Sequence, residues 1–152
     1  MKKIWFFIVK KKLKKKKITN INILHRDLTQ INLKNSDLII SYYTIQFISS
    51  KFRQKILNNI YNSLNWGGAF IYFEKIRGAD ARFQDIFTSL YNDFKEGNGL
   101  SANEIIGKEK TLRGVLDPFS EKGNLGLLKR SGFEDIQSIF QYLNFKGYLC
   151  IK

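Results

Sequence analysis

DLIISYYTIQFISSKFRQKILNNIYNSLNWGGAFIYFE, residues 37–74, reads as a strand, a crossover helix and a second, parallel strand. Leu38, Ile39 and Ile40 form a short unbroken apolar run, the composition of a parallel strand buried on both faces. Phe52, Ile56, Ile60 and Leu64 recur every four residues and lay one apolar stripe along a helix, with Lys51, Arg53, Lys55 and Asn59 on its other faces. Ser49 or Ser50 is placed to cap that helix. Asn65-Trp66-Gly67-Gly68 ends it, because these residues accept left-handed or extended backbone. Ala69 to Phe73 then forms the next buried strand. Such a βαβ unit is the building block of open α/β sheets.

Downstream, Glu74 to Gly78 reads as a loop on the crevice side of the sheet. Phe83, Ile86, Phe87, Leu90 and Phe94 mark an amphipathic helix that ends at Gly97-Asn98-Gly99. Ser101 and Glu104 have capping-box spacing and start a further helix through about Leu112. Asp117-Pro118 breaks the chain, Glu121 to Ser131 is helical, and Gly132 stops it. Ile136 to Leu143 and Gly147 to Ile151 predict an antiparallel hairpin turning at Asn144-Phe145-Lys146.

Upstream, Ile21 to Leu24 alternates as a short strand, and His25-Arg26-Asp27-Leu28 follows at its end. Loops at strand carboxyl ends line the ligand crevice of an α/β sheet, so Asp27 is placed either to accept from an adenine amino group or to serve as a solvated turn residue. His25 has no carboxylate or cysteine company at metal spacing, and no metal site is expected.

The net charge is +13, but nine of the twenty lysines fall in the first seventeen residues; without that +9 the remainder carries only +4. Residues 1–21 are therefore expected to be a basic helix or arm, with 22–152 the body. The apolar stretch Ile4 to Val9 is too short to span a bilayer and lacks a small-residue cleavage site. Trp5, Val9 and Leu13 share a helical face, around which the lysines snorkel. Lys10 to Lys17 reads as a solvated helix, as a weak RNA contact, or as an anionic-membrane arm. Cys150, the single cysteine, excludes an internal disulfide and is expected to be a buried structural thiol in a cytoplasmic protein.

HRDLTQI (25–31), YTIQFI (43–48), KILNNIYNSLNWGGAFIYFEK (55–75), LYNDFKEGNGLSANEI (90–105) and FQYLNFKGYL (140–149) together give the chain its family likeness. It resembles the C-terminal part of the class I S-adenosylmethionine-dependent methyltransferases, and more narrowly the carboxy-S-adenosylmethionine synthases. The strand-helix-GG-strand portion is shared by many methyltransferases; T-I-Q-F and D-F-K-x-x-N-G are narrower. The resemblance implies a Rossmann-like sheet of order 3-2-1-4-5-7-6 and S-adenosylmethionine as cofactor. It also implies transfer of a carboxylate from prephenate onto that cofactor, for wobble-uridine modification in tRNA.

Carried over residue by residue, the resemblance assigns Asp27 and Leu28 to the adenine. Tyr42 stands at the strand end where the family has an asparagine, and a phenol does not reproduce a carboxamide's paired donor and acceptor. Where the family holds the transferred carboxylate with an arginine, this chain has Glu109, flanked by Lys108 and Lys110, either of which could take over as a point charge. A glycine-rich turn after a strand and a ribose-binding acid, which a dinucleotide-like site requires, are not found.

The expected fold is thus a truncated methyltransferase sheet that lacks the glycine-motif strands and ends in an antiparallel hairpin. Leu38 to Ile40 would then become an exposed apolar edge, which a separate N-terminal half or a second copy of the chain covers, or which leaves the chain poorly folded. Two function classes follow: a carboxy-S-adenosylmethionine synthase-like enzyme, weak or inactive alone, and a non-catalytic remnant or basic RNA-binding protein.

Overall fold

The computed structural model describes residues 2–152, with side chains from Ile8 onward. The chain divides into two units, Met1–Asn32 and Leu33–Lys152. The first contains helix α1 (Lys2–Lys15) and a single 3-10 turn at Leu28–Gln30. Lysines 10, 14 and 17 edge a groove between α1 and the segment that follows it, with Leu13 and Ile18 on its floor. Of the apolar face expected on α1, Trp5 lies outside the described side chains, Val9 is exposed and Leu13 is half-buried. Ile21 to Leu24, expected as a strand, is irregular, and both end residues are exposed. Alternation alone does not hold a strand: its backbone groups need a neighbouring ladder, and this segment has none.

The second unit holds β1 (Ser36–Tyr42), α2 (Ser50–Ser63), β2 (Leu64–Lys75), α3 (Ala81–Gly97), α4 (Ala102–Leu112), α5 (Glu121–Ser131), β3 (Asp135–Tyr142) and β4 (Phe145–Ile151). The four strands form one sheet in the order β1-β2-β4-β3. β1 runs parallel to β2, and β4 is antiparallel to both β2 and β3. In the family order 3-2-1-4-5-7-6, these strands take the places 4-5-7-6.

One face of the sheet is the core. Phe70, Tyr72 and Glu74 of β2 pair with Cys150, Tyr148 and Lys146 of β4, and all six are buried. Ile56, Leu57 and Ile60 of α2 and Leu127 and Leu128 of α5 are buried with them, as is Phe133, whose ring stacks on Phe70 at 5.8 Å. Of the expected stripe, Ile56, Ile60 and Leu64 are buried, and its first position departs from expectation. Phe52 is 40% exposed while Arg53, assigned to the polar side, is 2% exposed, because the loop after β1 offers the guanidinium a set of carbonyls. The opposite face of β1 is bare: Leu38, Ile40 and Tyr42 are 52%, 58% and 66% exposed. Leu38 to Ile40, with the composition of a central strand, therefore lies at a sheet edge and is buried on at most one face.

Several boundaries shift by a few residues. Ser49 occupies the α2 N-cap position but makes no side-chain cap bond. Leu64 and the Asn65-Trp66-Gly67-Gly68 break belong to β2, with Gly67 at φ 74°. A Cβ at Gly68 would meet the Asn65 carbonyl oxygen at 2.8 Å, so that glycine is required by close approach. Glu74 and Lys75 continue β2 because β4 pairs with them through Lys146 and Phe145, which also moves the hairpin turn to Leu143-Asn144. The Ser101–Glu104 capping box and the left-handed Gly132 at the end of α5 are as expected.

Candidate functional site

The parallel strands β1 and β2 end side by side, and the chain leaves β1 through Tyr43, whose φ of 51° is uncommon for a residue with a side chain. Its amide donates to the Phe73 carbonyl at 2.9 Å, and the turn Ile45–Phe47 follows. Gln46, within T-I-Q-F, is buried; its side-chain oxygen accepts from the Lys75 amide at 2.7 Å. The Gln46 carbonyl accepts from Arg53 at 3.0 Å and from the Asp117 amide at 3.2 Å. Arg53 also donates to the Ile48 carbonyl at 2.8 Å and lies 4.5 Å over the Phe119 ring. One buried arginine thus fixes both the loop after β1 and the segment before α5.

Glu74 sits below this loop on the core face. Burial pushes its carboxyl up to about 8, against the opposing pull of Arg53 and the amides of Ile45 and Gln46. One of its oxygens has no hydrogen-bond partner, which fits a protonated acid better than a carboxylate.

Lys75, the next residue, points to the other side, into a cavity of about 340 Å³ formed by the end of β2, α3, α4 and the β3–β4 turn. Its ammonium lies 5.0 Å from the Tyr91 ring centre and 5.8 Å from that of Phe145. Lys95, on α3, lies 4.3 Å from the same Tyr91 ring, 2.9 Å from the Asn92 side-chain oxygen and 3.7 Å from a Glu109 carboxylate oxygen. Burial and the Lys95 charge lower the Lys75 pKa, with Glu109 opposing. Asn144 lines the cavity, is 1% exposed, and its side-chain oxygen has no donor. A cavity with two ammonium groups on aromatic walls is suited to a small anion that carries a ring or apolar body.

Of the residues expected from the sequence, Glu109 and Lys108 line this cavity. Lys110, one step further round α4, is exposed and is not among the lining residues. Tyr42 is also outside it, edge-on to Tyr43 at 4.5 Å. Asp27 and Leu28 lie in the first unit, where an Asp27 oxygen accepts from the Thr29 amide and hydroxyl at 2.9 and 2.8 Å. Lys75, Tyr91, Lys95 and Asn144 were not singled out from the sequence, although all four stand inside the motifs that carry the likeness. Among the described residues there is no metal-holding cluster, and no helix is long and apolar enough to cross a membrane.

The sheet and its helices share the fold of solved S-adenosylmethionine-dependent methyltransferases. Among solved structures, the methyltransferase SibL in its apo form superposes with a TM-score of 0.65 at 12% identity, covering 94% of this chain and 39% of that one. "PigF with SAH" gives 0.61 at 15% identity, covering 97% and 40%. By sequence the chain resembles the carboxy-S-adenosyl-L-methionine synthases. The protein of that name from Staphylococcus epidermidis is 40% identical over 133 residues, 88% of this chain and 58% of the relative. Its namesake from Campylobacter jejuni is 38% identical over 133 residues, 88% and 57%. The chain therefore spans a little over half the length of the curated relatives it matches. No family model matches it.

S-adenosylmethionine is the cofactor to which these relatives point, but the residues described here do not make its cradle. The left-handed glycines, Gly67, Gly99, Gly114 and Gly132, begin β2 or follow helical segments, and none follows a strand. β1 leaves through Tyr43-Thr44 instead, so no glycine turn offers backbone amides to a ligand.

Proposed function

We propose that this chain forms the carboxylate-binding part of a carboxy-S-adenosylmethionine synthase-like enzyme, acting on S-adenosylmethionine and prephenate in the cytoplasm for tRNA wobble-uridine modification. The observation that carries this reading is the 40% identity over 133 residues to a synthase of that name. The lysine-bearing cavity adjoining T-I-Q-F supports it. Within the reading, Lys108 and Glu109 act at the substrate, with Lys95 and Lys75 supplying the charge that the family's arginine provides.

The bare β1 edge supports a further element of the proposal. Additional strands, from a separate N-terminal half or from a second copy of the chain, pair with β1, and the N-terminal half also brings the glycine turn. The test is to incubate the purified chain with S-adenosylmethionine and prephenate and to look for carboxylated S-adenosylmethionine by mass spectrometry. The same assay is run after co-expression with a glycine-turn half taken from a relative. Product only in the complemented sample is expected; no product in either overturns the reading.

A second reading, a basic RNA-binding protein, is favoured by one observation. Lys10, Lys14 and Lys17 line a single groove in the first unit, an arrangement that attracts phosphates.

A further inference from the structure

We propose that Glu109 is an internal competitor for the anion site: its carboxylate holds Lys95 in the cavity between α3, α4 and the end of β2 until a ligand carboxylate displaces it. This rests on reading the cavity as a carboxylate site, and deepens that reading by saying what sets its affinity.

The Lys95 side chain is 14% exposed, whereas that of Glu109 is 51% exposed. A largely desolvated ammonium needs a counter-charge, and Glu109 reaches in from the cavity rim to provide one. The approach of 3.7 Å is an ion pair without a hydrogen bond, so the contact is loose and open to exchange. Lys75 lies against the same tyrosine ring and makes no ion pair among the described residues. An incoming carboxylate would meet two ammonium groups and one competing carboxylate. The favoured ligand class is a small ring-bearing carboxylate.

Removing the Glu109 charge frees Lys95 for the ligand, so affinity for an anion should rise even though a cavity-lining side chain has been shortened or neutralised. A residue with a merely structural role would lower affinity or leave it unchanged.

The probe is phenyllactate, titrated calorimetrically into the parent chain, its Glu109→Gln and Glu109→Ala variants, and Lys95→Met. Both Glu109 variants should bind about tenfold more tightly than the parent, the scale expected on deleting one partly desolvated competing charge. Lys95→Met should lose binding, and the neutral amide of phenyllactate should show no gain in the Glu109 variants. Equal or weaker binding by both Glu109 variants, or no binding by any of the four chains, overturns the inference. Circular dichroism identifies a variant that fails to fold; Glu109 is half exposed on α4, and two different replacements guard against that outcome. Phenyllactate binding needs no S-adenosylmethionine. A failed transfer assay therefore leaves this result standing, and unchanged affinity in the Glu109 variants leaves the transfer reading standing.

Discussion

The side-chain oxygen of Gln46 accepts a hydrogen bond from the backbone amide of Lys75 at 2.7 Å, joining the turn after β1 to the last residue of β2. The same residue's carbonyl is held by Arg53 and by the Asp117 amide. Lys75 therefore enters the cavity from a backbone position fixed by a neighbouring loop as well as by the sheet ladder. Replacing Gln46 with Leu removes the acceptor and leaves a partly buried amide unpaired, which costs about 1–3 kcal/mol. Urea unfolding of the variant should show a lower midpoint with an unchanged slope. A midpoint equal to the parent's would mean that water or another group satisfies the Lys75 amide.

Glu74 makes stability depend on pH in the direction opposite to most carboxylates. Its pKa rises from 4.5 to about 8 on folding, with burial as the main cause. Between those values the folded chain keeps a proton that the unfolded chain has released, so stability falls as pH rises through that window, at up to about 1.4 kcal/mol per unit. Thermal unfolding from pH 5 to pH 9 should show a declining Tm. Glu74→Gln should flatten that decline and be the more stable chain at pH 8–9. An identical decline in parent and variant would assign the dependence to another group.

Cys150 is fully buried, and burial pushes its thiol up to about 12. The thiolate is the reactive form, so a thiol reagent should label the native chain only at the rate of global unfolding and the denatured chain at once. Rapid native labelling at neutral pH would show that the β2–β4 pairing opens locally.

Much of the fold could be read from the sequence because local signals and packing agreed. Ser101 and Glu104 satisfy each other's backbone groups whatever surrounds them, and Gly132 supplies the left-handed turn that ends α5. Agreement failed where a distant group decided the outcome. Arg53 carries no local sign that its guanidinium will meet the Gln46 and Ile48 carbonyls, and a charged residue beside Phe52 is read by default as solvent-facing. Ile21 to Leu24 failed for the complementary reason: it has strand-like alternation, but no ladder forms there. In the candidate site, Glu109 and Lys108 were reached through the family's arginine position. Lys95 and Asn144 come from elements about fourteen residues before and thirty-five after Glu109, and only the fold brings them to one cavity.

If the lysines around α1 contact RNA, binding should weaken steeply with salt. Each neutralised phosphate contributes a log-log slope of roughly −0.7 to −0.9. Deleting residues 1–17 removes nine lysines. Fluorescence anisotropy with a labelled RNA should show the slope flattening by several such increments after the deletion. An unchanged slope leaves α1 as a solvated helix.

The β1 edge carries the strongest expectation about the chain in isolation. Leu38 and Ile40 project from the same face and are each more than half exposed, beside an edge whose unused backbone groups are a template for another strand. Covering one such side chain contributes roughly 1.5–3 kcal/mol, and a whole domain has only about 5–15 kcal/mol to lose. The purified chain should therefore self-associate, with a sedimentation coefficient and a Tm that both rise with concentration. Leu38→Lys with Ile40→Lys places charge on that face and should suppress the association without stabilising the monomer. Co-expression with a polypeptide that carries the glycine-turn strands should instead yield a single heterodimer with a sharper transition. A monodisperse monomer with a concentration-independent transition would show that the four strands complete their own core and that β1 needs no neighbour.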